Sequence, residues 1–349
     1  MKPLTSKLWL KLISTVIMGA LMLPVCGCMN KEADESEARR YDVSQEKQLI
    51  VYTSHKEEVY LPIIEEFENR TGIWVEIHAG GTTDMFNAAK EASARGACDI
   101  MFGGGIESFE ASKDLFMPYV AKERDRLDPK YIFEGDFYTP FTELPLVFIY
   151  NNKLLQASDA PRKWMDFFNP EWRGKIAFAD LHDSGTSYTI LAVLSQIGGG
   201  DSYSYLSSFI KQLDGNILSS SRQIIQSVSN GTFLAGITLE ETALKGIASG
   251  YDISMVYPED GTVALPDGIA MVKNAPHSYN AGLFIDFVTG LDTQLYAVDK
   301  FYRRTVRTDI IPPFNYVTPA LMDFDMERSA KEEQEIFDIW DKLTGETEE

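Results

Sequence analysis

The segment Lys175–Ser187, KIAFADLHDSGTS, carries the side chains of this chain best placed to bind a small anion. His182 and Asp183 stand beside Ser184–Thr186, which open a helix with an apolar face. Unpaired backbone N–H groups and a partial positive charge at a helix start attract anions. The alternative is that Asp183 or Ser184 only caps the helix. One turn does not decide between these two interpretations.

The first half of the chain predicts strands alternating with helices. Gln48–Tyr52 and Ile73–Ile77 predict strands on either side of a helix over Lys56–Arg70, and Cys98–Phe102 predicts a third strand. This order predicts an α/β fold with a parallel sheet, in which ligands bind beyond the carboxyl ends of the strands. The small polar or glycine residues expected at that edge are Thr53, Ser54, Gly81, Thr82 and Gly104.

A second set of elements follows a long apolar run, Leu144–Asn151, that predicts a strand leaving the first lobe. Ser219–Ser221 opens another predicted helix and adds hydroxyl groups at its start. Phe233–Leu239 predicts a buried strand that delivers Glu240 and Glu241 at its carboxyl end. These two acids are either solvated helix-start residues or acceptors for ligand hydroxyl groups.

The composition limits the classes of function that this chain could have. A chain of 349 residues with 44% hydrophobic content favours two lobes, and two lobes create a cleft. The formal charge of −20 makes nucleic acid an improbable partner. No HExxH or GxSxG motif occurs, and we expect no cofactor.

The N-terminus predicts export. Residues 1–27 combine three lysines with an apolar stretch, and LPVCGC at residues 23–28 follows it, a pattern typical of a signal peptide. The site resembles a lipobox, in which Cys28 becomes the lipidated first residue of the mature protein. Removal of residues 1–27 would lower the formal charge from −20 to −23 and leave Cys98 as the only other thiol. The polar residues 28–47 predict a tether.

Several motifs in order resemble the extracellular solute-binding proteins of bacterial ABC importers. They are YTSHKEEVYLPIIEEFENRTGI, DSGTSY, VYPEDGTV, GIAMVKNAPHSYNAGLFIDFV and RRTVRTDIIPP, and they span Gln48 to Pro313. The resemblance is to the ferric-ion-binding branch, which includes phosphonate, phosphoglycerate and hexose-phosphate binders. It implies the two-lobed type II periplasmic-binding-protein fold, with lobes that close over the ligand.

The resemblance also implies where the lobes divide. The two crossing strands would lie near Glu143–Asn151 and Val263–Ile269. The first lobe would comprise residues 48–143 and 268–349, and the second lobe residues 144–267.

The ligand implied is a sugar phosphate or another organophosphate. Ferric members typically carry adjacent tyrosines where this chain has Glu240-Glu241-Thr242, so the ligands of a trivalent ion are missing. The predicted ligand-binding residues are Ser54, His55, Thr82, His182, Asp183, Ser184, Gly185, Thr186, Ser221 and Glu240. The alternatives are ferric iron or another metal ion held by the histidines and acids, and a cationic solute such as a polyamine.

The predicted role is that of a non-catalytic, exported binding lipoprotein. It would act as a monomer, remain lipid-anchored at the outer face of the cell membrane or in the periplasm, and deliver its ligand to an ABC permease. One alternative is a hydrolase that uses His182 and Asp183, although no nucleophile motif accompanies them. Another is a sensor lipoprotein that signals to a two-component kinase.

Overall fold

A computed structural model describes residues 43–199, 201–311 and 317–345. Contacts group Ser44–Glu349 into one compact unit. Within the described residues the strands are β1 (Gln48–Thr53), β2 (Trp74–Ala79), β3 (Ile100–Gly105), β4 (Thr139–Asn151), β5 (Ile176–Ala177), β6 (Ala235–Leu239), β7 (Ile253–Val256), β8 (Ala264–Met271) and β9 (Arg304–Thr305). The α-helices are α1 (Glu57–Thr71), α2 (Thr82–Ser93), α3 (Ile106–Ala111), α4 (Gly185–Gly198), α5 (Ser202–Leu213), α6 (Ile224–Ser229), α7 (Glu240–Ala248), α8 (Ser278–Thr289), α9 (Leu291–Phe301) and α10 (Met326–Thr344). Short 3₁₀ helices occupy Gln45–Lys47, Lys113–Leu115, Arg124–Arg126, Pro129–Tyr131, Trp164–Phe168, Pro170–Trp172 and Ser221–Gln223.

The predicted strand–helix–strand unit near the N-terminus is confirmed. All six residues of β1 are buried, and α1 buries one apolar face formed by Val59, Ile63, Ile64 and Phe67. Helix α1 ends where Gly72 adopts a left-handed conformation with φ of 66°, which its missing side chain permits. Burial of that face fixes the helix against the sheet.

The sheet runs in the order β2-β1-β3-β8-β4-β6-β5, and β7 and β9 pair with β4. Strand β1 is parallel to both β2 and β3, as predicted, and β5 is parallel to β6. The return strand β8 is antiparallel to β3. The carboxyl ends of β1 and β3 therefore meet at one edge of the sheet, where α2 and α3 begin.

Strand β4 links the two halves of the sheet. Its first part pairs with β8, from Thr139 opposite Ile269 to Pro145 opposite Ala264. Its second part pairs with β6 and β7. The predicted crossings near Glu143–Asn151 and Val263–Ile269 lie in β4 and β8.

The apolar interior is divided between the two halves. The second half has its own core, in which Trp164 and Phe167 pack against Phe148. The apolar face of α10 belongs to this core through Ile336, Ile339 and Trp340. Residues 268–349 were predicted to belong to the first lobe, but the apolar face of α10 packs into the core of the second half.

The described helices include none that is both long enough and apolar enough to span a bilayer. The predicted signal peptide and residues 28–42 of the predicted tether, with Cys28, lie outside the described residues.

Candidate functional site

A cavity of about 780 Å³ lies between the two halves, beyond the carboxyl ends of β1 and β3. Eight of the ten predicted ligand-binding residues line it, namely Ser54, His55, Thr82, Asp183, Ser184, Gly185, Thr186 and Ser221. They come from both sides of the crossing strands. A ligand in this cavity would contact both halves of the molecule.

Two helix N-termini meet in the cavity. Helix α2 begins at Thr82 and α4 begins at Gly185. A Cβ atom at position 185 would lie 2.7 Å from Thr82 Oγ1, so the absence of a side chain there allows this close approach. Ser184 Oγ accepts a hydrogen bond of 3.1 Å from the Ser187 N–H, which confirms that Ser184 caps the helix. Capping does not exclude anion binding, because the first N–H groups of a helix have no carbonyl partner within it.

His182 does not line the cavity. Its Nε2 atom lies 2.7 Å from Asp341 Oδ1, and its ring packs 5.1 Å from the ring of Phe337, both on α10. The side chain thus holds the C-terminal helix against the turn before α4. The prediction that His182 faces the ligand does not agree with this position. The local sequence could not indicate it, because Asp341 is distant from His182 along the chain.

Glu240 is also directed away from the cavity. Its carboxylate is 1% exposed and accepts two hydrogen bonds from Arg304, of 2.7 and 2.8 Å, and a third from the Tyr257 hydroxyl. The solvated interpretation is wrong for both acids at the start of α7, because Glu241 is 3% exposed as well. Glu241, and not Glu240, lines the cavity.

Replacement of Glu240 by glutamine tests this correction. We expect the free energy of unfolding to fall by about 1–3 kcal/mol, because Arg304 loses the charge that compensates its burial. Ligand affinity should remain unchanged, since the side chain does not reach the cavity. Urea denaturation and a ligand titration on the same preparation measure both quantities. A tenfold loss of affinity at unchanged stability would contradict the placement of Glu240.

Sequence reasoning missed two lysines, of which Lys56 lines the cavity and Lys245 lies next to the lining residue Glu241. Lys245 Nζ lies 2.9 Å from Glu241 Oε2 and 3.0 Å from Glu58 Oε1, and Lys56 Nζ lies 3.4 Å from Thr242 Oγ1. Burial opposes ionisation of Glu241, but the charges of Arg303, Lys56 and Lys245 lower its pKa to about 2. Burial lowers the pKa of Lys56. Positive charge therefore lies close to where a ligand would bind.

The floor of the cavity contains a buried ion pair. Arg303 Nη1 donates to Asp267 Oδ2 and, at 3.0 Å, to Thr142 Oγ1. Asp267 lies on β8 and Thr142 on β4, so the pair fastens the two crossing strands together. His55 Nε2 lies 3.5 Å from Asp267 Oδ2, but burial and the nearby positive charges lower the pKa of His55 well below its usual value. His55 is therefore neutral at pH 7 and forms no ion pair.

Four residues of the cavity carry buried polar atoms without a hydrogen-bond partner. These atoms are His55 Nε2, Glu107 Oε2, Glu241 Oε2 and Arg303 Nε. The Glu241 oxygen is nevertheless compensated by its ion pair with Lys245 at 2.9 Å. Because buried polar groups are normally satisfied, the other three atoms indicate where a polar ligand would bind.

The sequence contained signals for some of these residues. Lys56 and Arg303 lie within the motifs YTSHKE and RRTVRT, and Asp267 is an acid within a buried strand. In the part of the chain that the structure describes, no three His, Cys, Asp or Glu side chains converge on a position that could hold a metal ion.

Comparisons with known proteins identify the family. The family of bacterial extracellular solute-binding proteins matches residues 100–312. A relative named iron uptake protein A1, from Synechocystis sp., is 23% identical over 340 residues, which cover 90% of this chain and 89% of the relative. A putative 2-aminoethylphosphonate-binding periplasmic protein of Salmonella typhimurium is 23% identical and covers 70% of this chain and 73% of its own length.

Solved structures share the fold. The periplasmic binding protein AfuA from Actinobacillus pleuropneumoniae, with exogenous fructose-6-phosphate bound, has a TM-score of 0.78 at 21% identity and covers 86% of this chain and 99% of its own. A ferric binding protein from Campylobacter jejuni has a TM-score of 0.75 at 18% identity, and the match covers 84% of this chain and 99% of that protein. These likenesses confirm the predicted type II fold. The relatives are binding proteins and not enzymes, and the chain belongs to the family of bacterial extracellular solute-binding proteins.

Proposed function

We propose that this protein captures an organophosphate, specifically a sugar phosphate, in the cavity between its lobes. The observation that carries the proposal is the meeting of the N-termini of α2 and α4 in a cavity whose wall also holds Lys56 and Arg303. Helix N-termini and cationic side chains are the groups that proteins use for phosphate. The names of related proteins refer to iron, 2-aminoethylphosphonate and fructose-6-phosphate. The choice among these ligands therefore rests on the cavity residues of this chain.

The phosphoryl group would bind at the helix starts. Hydroxyl groups of Ser54, Thr82, Thr186 and Ser221 and the backbone N–H of Gly185 lie around the cavity. Each donor to a charged oxygen contributes about 1.5–3 kcal/mol, so a few suffice to hold a dianion. Lys56 and Arg303 add positive charge that the sequence did not predict.

The sugar hydroxyl groups would bind to the carboxylates. Asp183 and Glu241 line the cavity and are acceptors, and Glu241 takes the role that the sequence predicted for Glu240. Both would repel a second phosphoryl group. The cavity volume of about 780 Å³ is sufficient for a single monosaccharide phosphate with water.

The chain would deliver this ligand to an ABC permease from the outer face of the membrane. We propose a lipid anchor on Cys28, followed by a flexible tether, because LPVCGC follows a basic and apolar N-terminus. The protein would act there as a monomer.

A thermal-shift panel tests the ligand class. Glucose 6-phosphate and fructose 6-phosphate should raise the free energy of unfolding by about 2.7 kcal/mol at a concentration of 100 times Kd. Phosphoglycerate, 2-aminoethylphosphonate, ferric citrate and spermidine are the other candidate ligands, and each is tested separately at the same concentration. Stabilisation by ferric citrate or spermidine alone would overturn the proposal.

A further inference from the structure

Glu107 is a buried acid in the wall of the cavity to which the proposed function assigns no role. It is the second residue of α3 and is 1% exposed. A methyl group at Gly105 would overlap its carboxyl group, so the chain has no side chain where this carboxyl folds back over the backbone. Gly105 therefore leaves the space that the carboxyl group of Glu107 occupies.

The carboxyl group connects the two halves of the molecule. The Thr189 hydroxyl, on α4, donates a hydrogen bond of 2.6 Å to Glu107 Oε1. The other oxygen, Oε2, has no hydrogen-bond partner, and Glu107 lines the cavity. One oxygen is thus held across the cleft, and the second is left for a ligand.

The surroundings of Glu107 do not compensate a negative charge. Helix α10 contributes Glu333, while its neighbour Glu332 is paired with Arg328, and α4 contributes Tyr188 and Thr189. On β8, Asp267 is ion-paired with Arg303, and on α3 itself Glu110 is paired with Lys113. Among the described residues, no lysine or arginine forms an ion pair with Glu107.

Burial, with a smaller contribution from the charge of Glu333, raises the pKa of Glu107 to about 7, against the hydrogen bonds from the Thr189 hydroxyl and from the backbone N–H of Glu107 itself. The group can therefore hold a proton at neutral pH. A neutral carboxyl group has an O–H donor, whereas a carboxylate has only acceptors and repels an anion.

We propose that Glu107 is a specificity-determining residue of the cavity, whose Oε2 carries a proton in the complex and donates a hydrogen bond to an oxygen of the ligand anion. The inference rests on the proposed function, because it requires an anionic ligand. Anion binding then takes up a proton at Glu107. Affinity for the anion should fall as the pH rises above 7.

Proton linkage measured by calorimetry tests this inference. The wild type and Glu107→Gln are titrated with glucose 6-phosphate between pH 6.5 and 8.5, in two buffers of different ionisation enthalpy. The phosphate titrates equally in both proteins, so the difference between them isolates Glu107. The Kd of the wild type relative to the variant should rise about 25-fold over this range, and its proton uptake should exceed that of the variant by nearly one proton at pH 8.5. Glu110→Gln, on the same helix, should behave as the wild type.

Two outcomes would overturn the inference. Equal proton uptake by the wild type and Glu107→Gln would show that Glu107 does not titrate on binding. A wild-type affinity that rises with pH relative to the variant would show that Glu107 binds as a carboxylate acceptor.

A ligand-independent measurement separates this inference from the proposed function. The ¹³C titration of glutamate carboxyl groups in the ligand-free protein, assigned with Glu107→Gln, should show a Glu107 pKa well above that of ordinary glutamates. If hexose phosphates do not bind, the proposed function fails. Proton uptake of the wild type and Glu107→Gln on binding inorganic phosphate then tests the role of Glu107. An ordinary Glu107 pKa, or no binding of any anion, overturns the inference.

Discussion

Replacement of Gly185 by alanine is expected to weaken the binding of glucose 6-phosphate by at least about 100-fold, because loss of two charge-assisted hydrogen bonds costs about 3 kcal/mol or more. The new Cβ atom would lie 2.7 Å from Thr82 Oγ1 and 3.1 Å from Thr82 Cβ. Thr82 or the start of α4 must then move, and the methyl group fills the space in front of the N–H groups. Titration calorimetry measures the loss.

The stability of the same variant serves as its control. Gly185 is the first residue of α4 and needs no left-handed conformation, so alanine adds no backbone strain, and the contact with Thr82 should lower the free energy of unfolding without ligand by no more than about 1–3 kcal/mol. Adding Thr82→Ala removes the group that the methyl would contact and should recover part of the affinity. Unchanged affinity in a stable Gly185→Ala protein would show that the two helix starts do not form the anion site.

Replacement of Arg303 by methionine should lower the free energy of unfolding by about 3–5 kcal/mol, the usual cost of leaving one member of a buried ion pair alone. Arg303 and Asp267 are 5% and 1% exposed, and Asp267 would keep only its hydrogen bonds from Thr142. Urea denaturation measures this change. Ligand affinity should also fall, because Arg303 Nε faces the cavity without a partner.

Arg70→Met is the matched control for Arg303→Met. Arg70 forms ion pairs with Glu66 and Asp292, but its side chain is 49% exposed and water screens both pairs, so its removal should cost much less stability than removal of Arg303. Adding Asp267→Asn to Arg303→Met removes the uncompensated charge and should recover part of the lost stability. Equal effects of Arg303→Met and Arg70→Met would contradict the role of the buried pair.

Local patterns in the sequence were sufficient to predict the elements. The apolar spacing of α1 and the Ser184–Thr186 start of α4 are confirmed, because helix periodicity and capping depend on neighbouring residues. Boundaries were less accurate. Strand β3, predicted over Cys98–Phe102, begins at Ile100 and continues into the glycines up to Gly105.

The positions of charged side chains could not be predicted in the same way. His182 and Glu240 have partners 159 and 64 residues further along the chain, Asp341 and Arg304, so no local pattern indicates which way they point. Glu107 was not singled out, since a lone acid near a glycine run resembles a solvated residue. Its burial depends on the packing of α10 and α4 around α3.

The central claim is that the cavity recognises the phosphoryl group of a sugar phosphate. The most direct measurement is a calorimetric comparison of glucose 6-phosphate with glucose, on one preparation of the wild type at pH 6.5. We expect the phosphate to bind at least about 100-fold more tightly, because two or more donors at the helix starts contribute about 1.5–3 kcal/mol each. Equal affinity for glucose and its phosphate, or no binding of the phosphate, would contradict this claim.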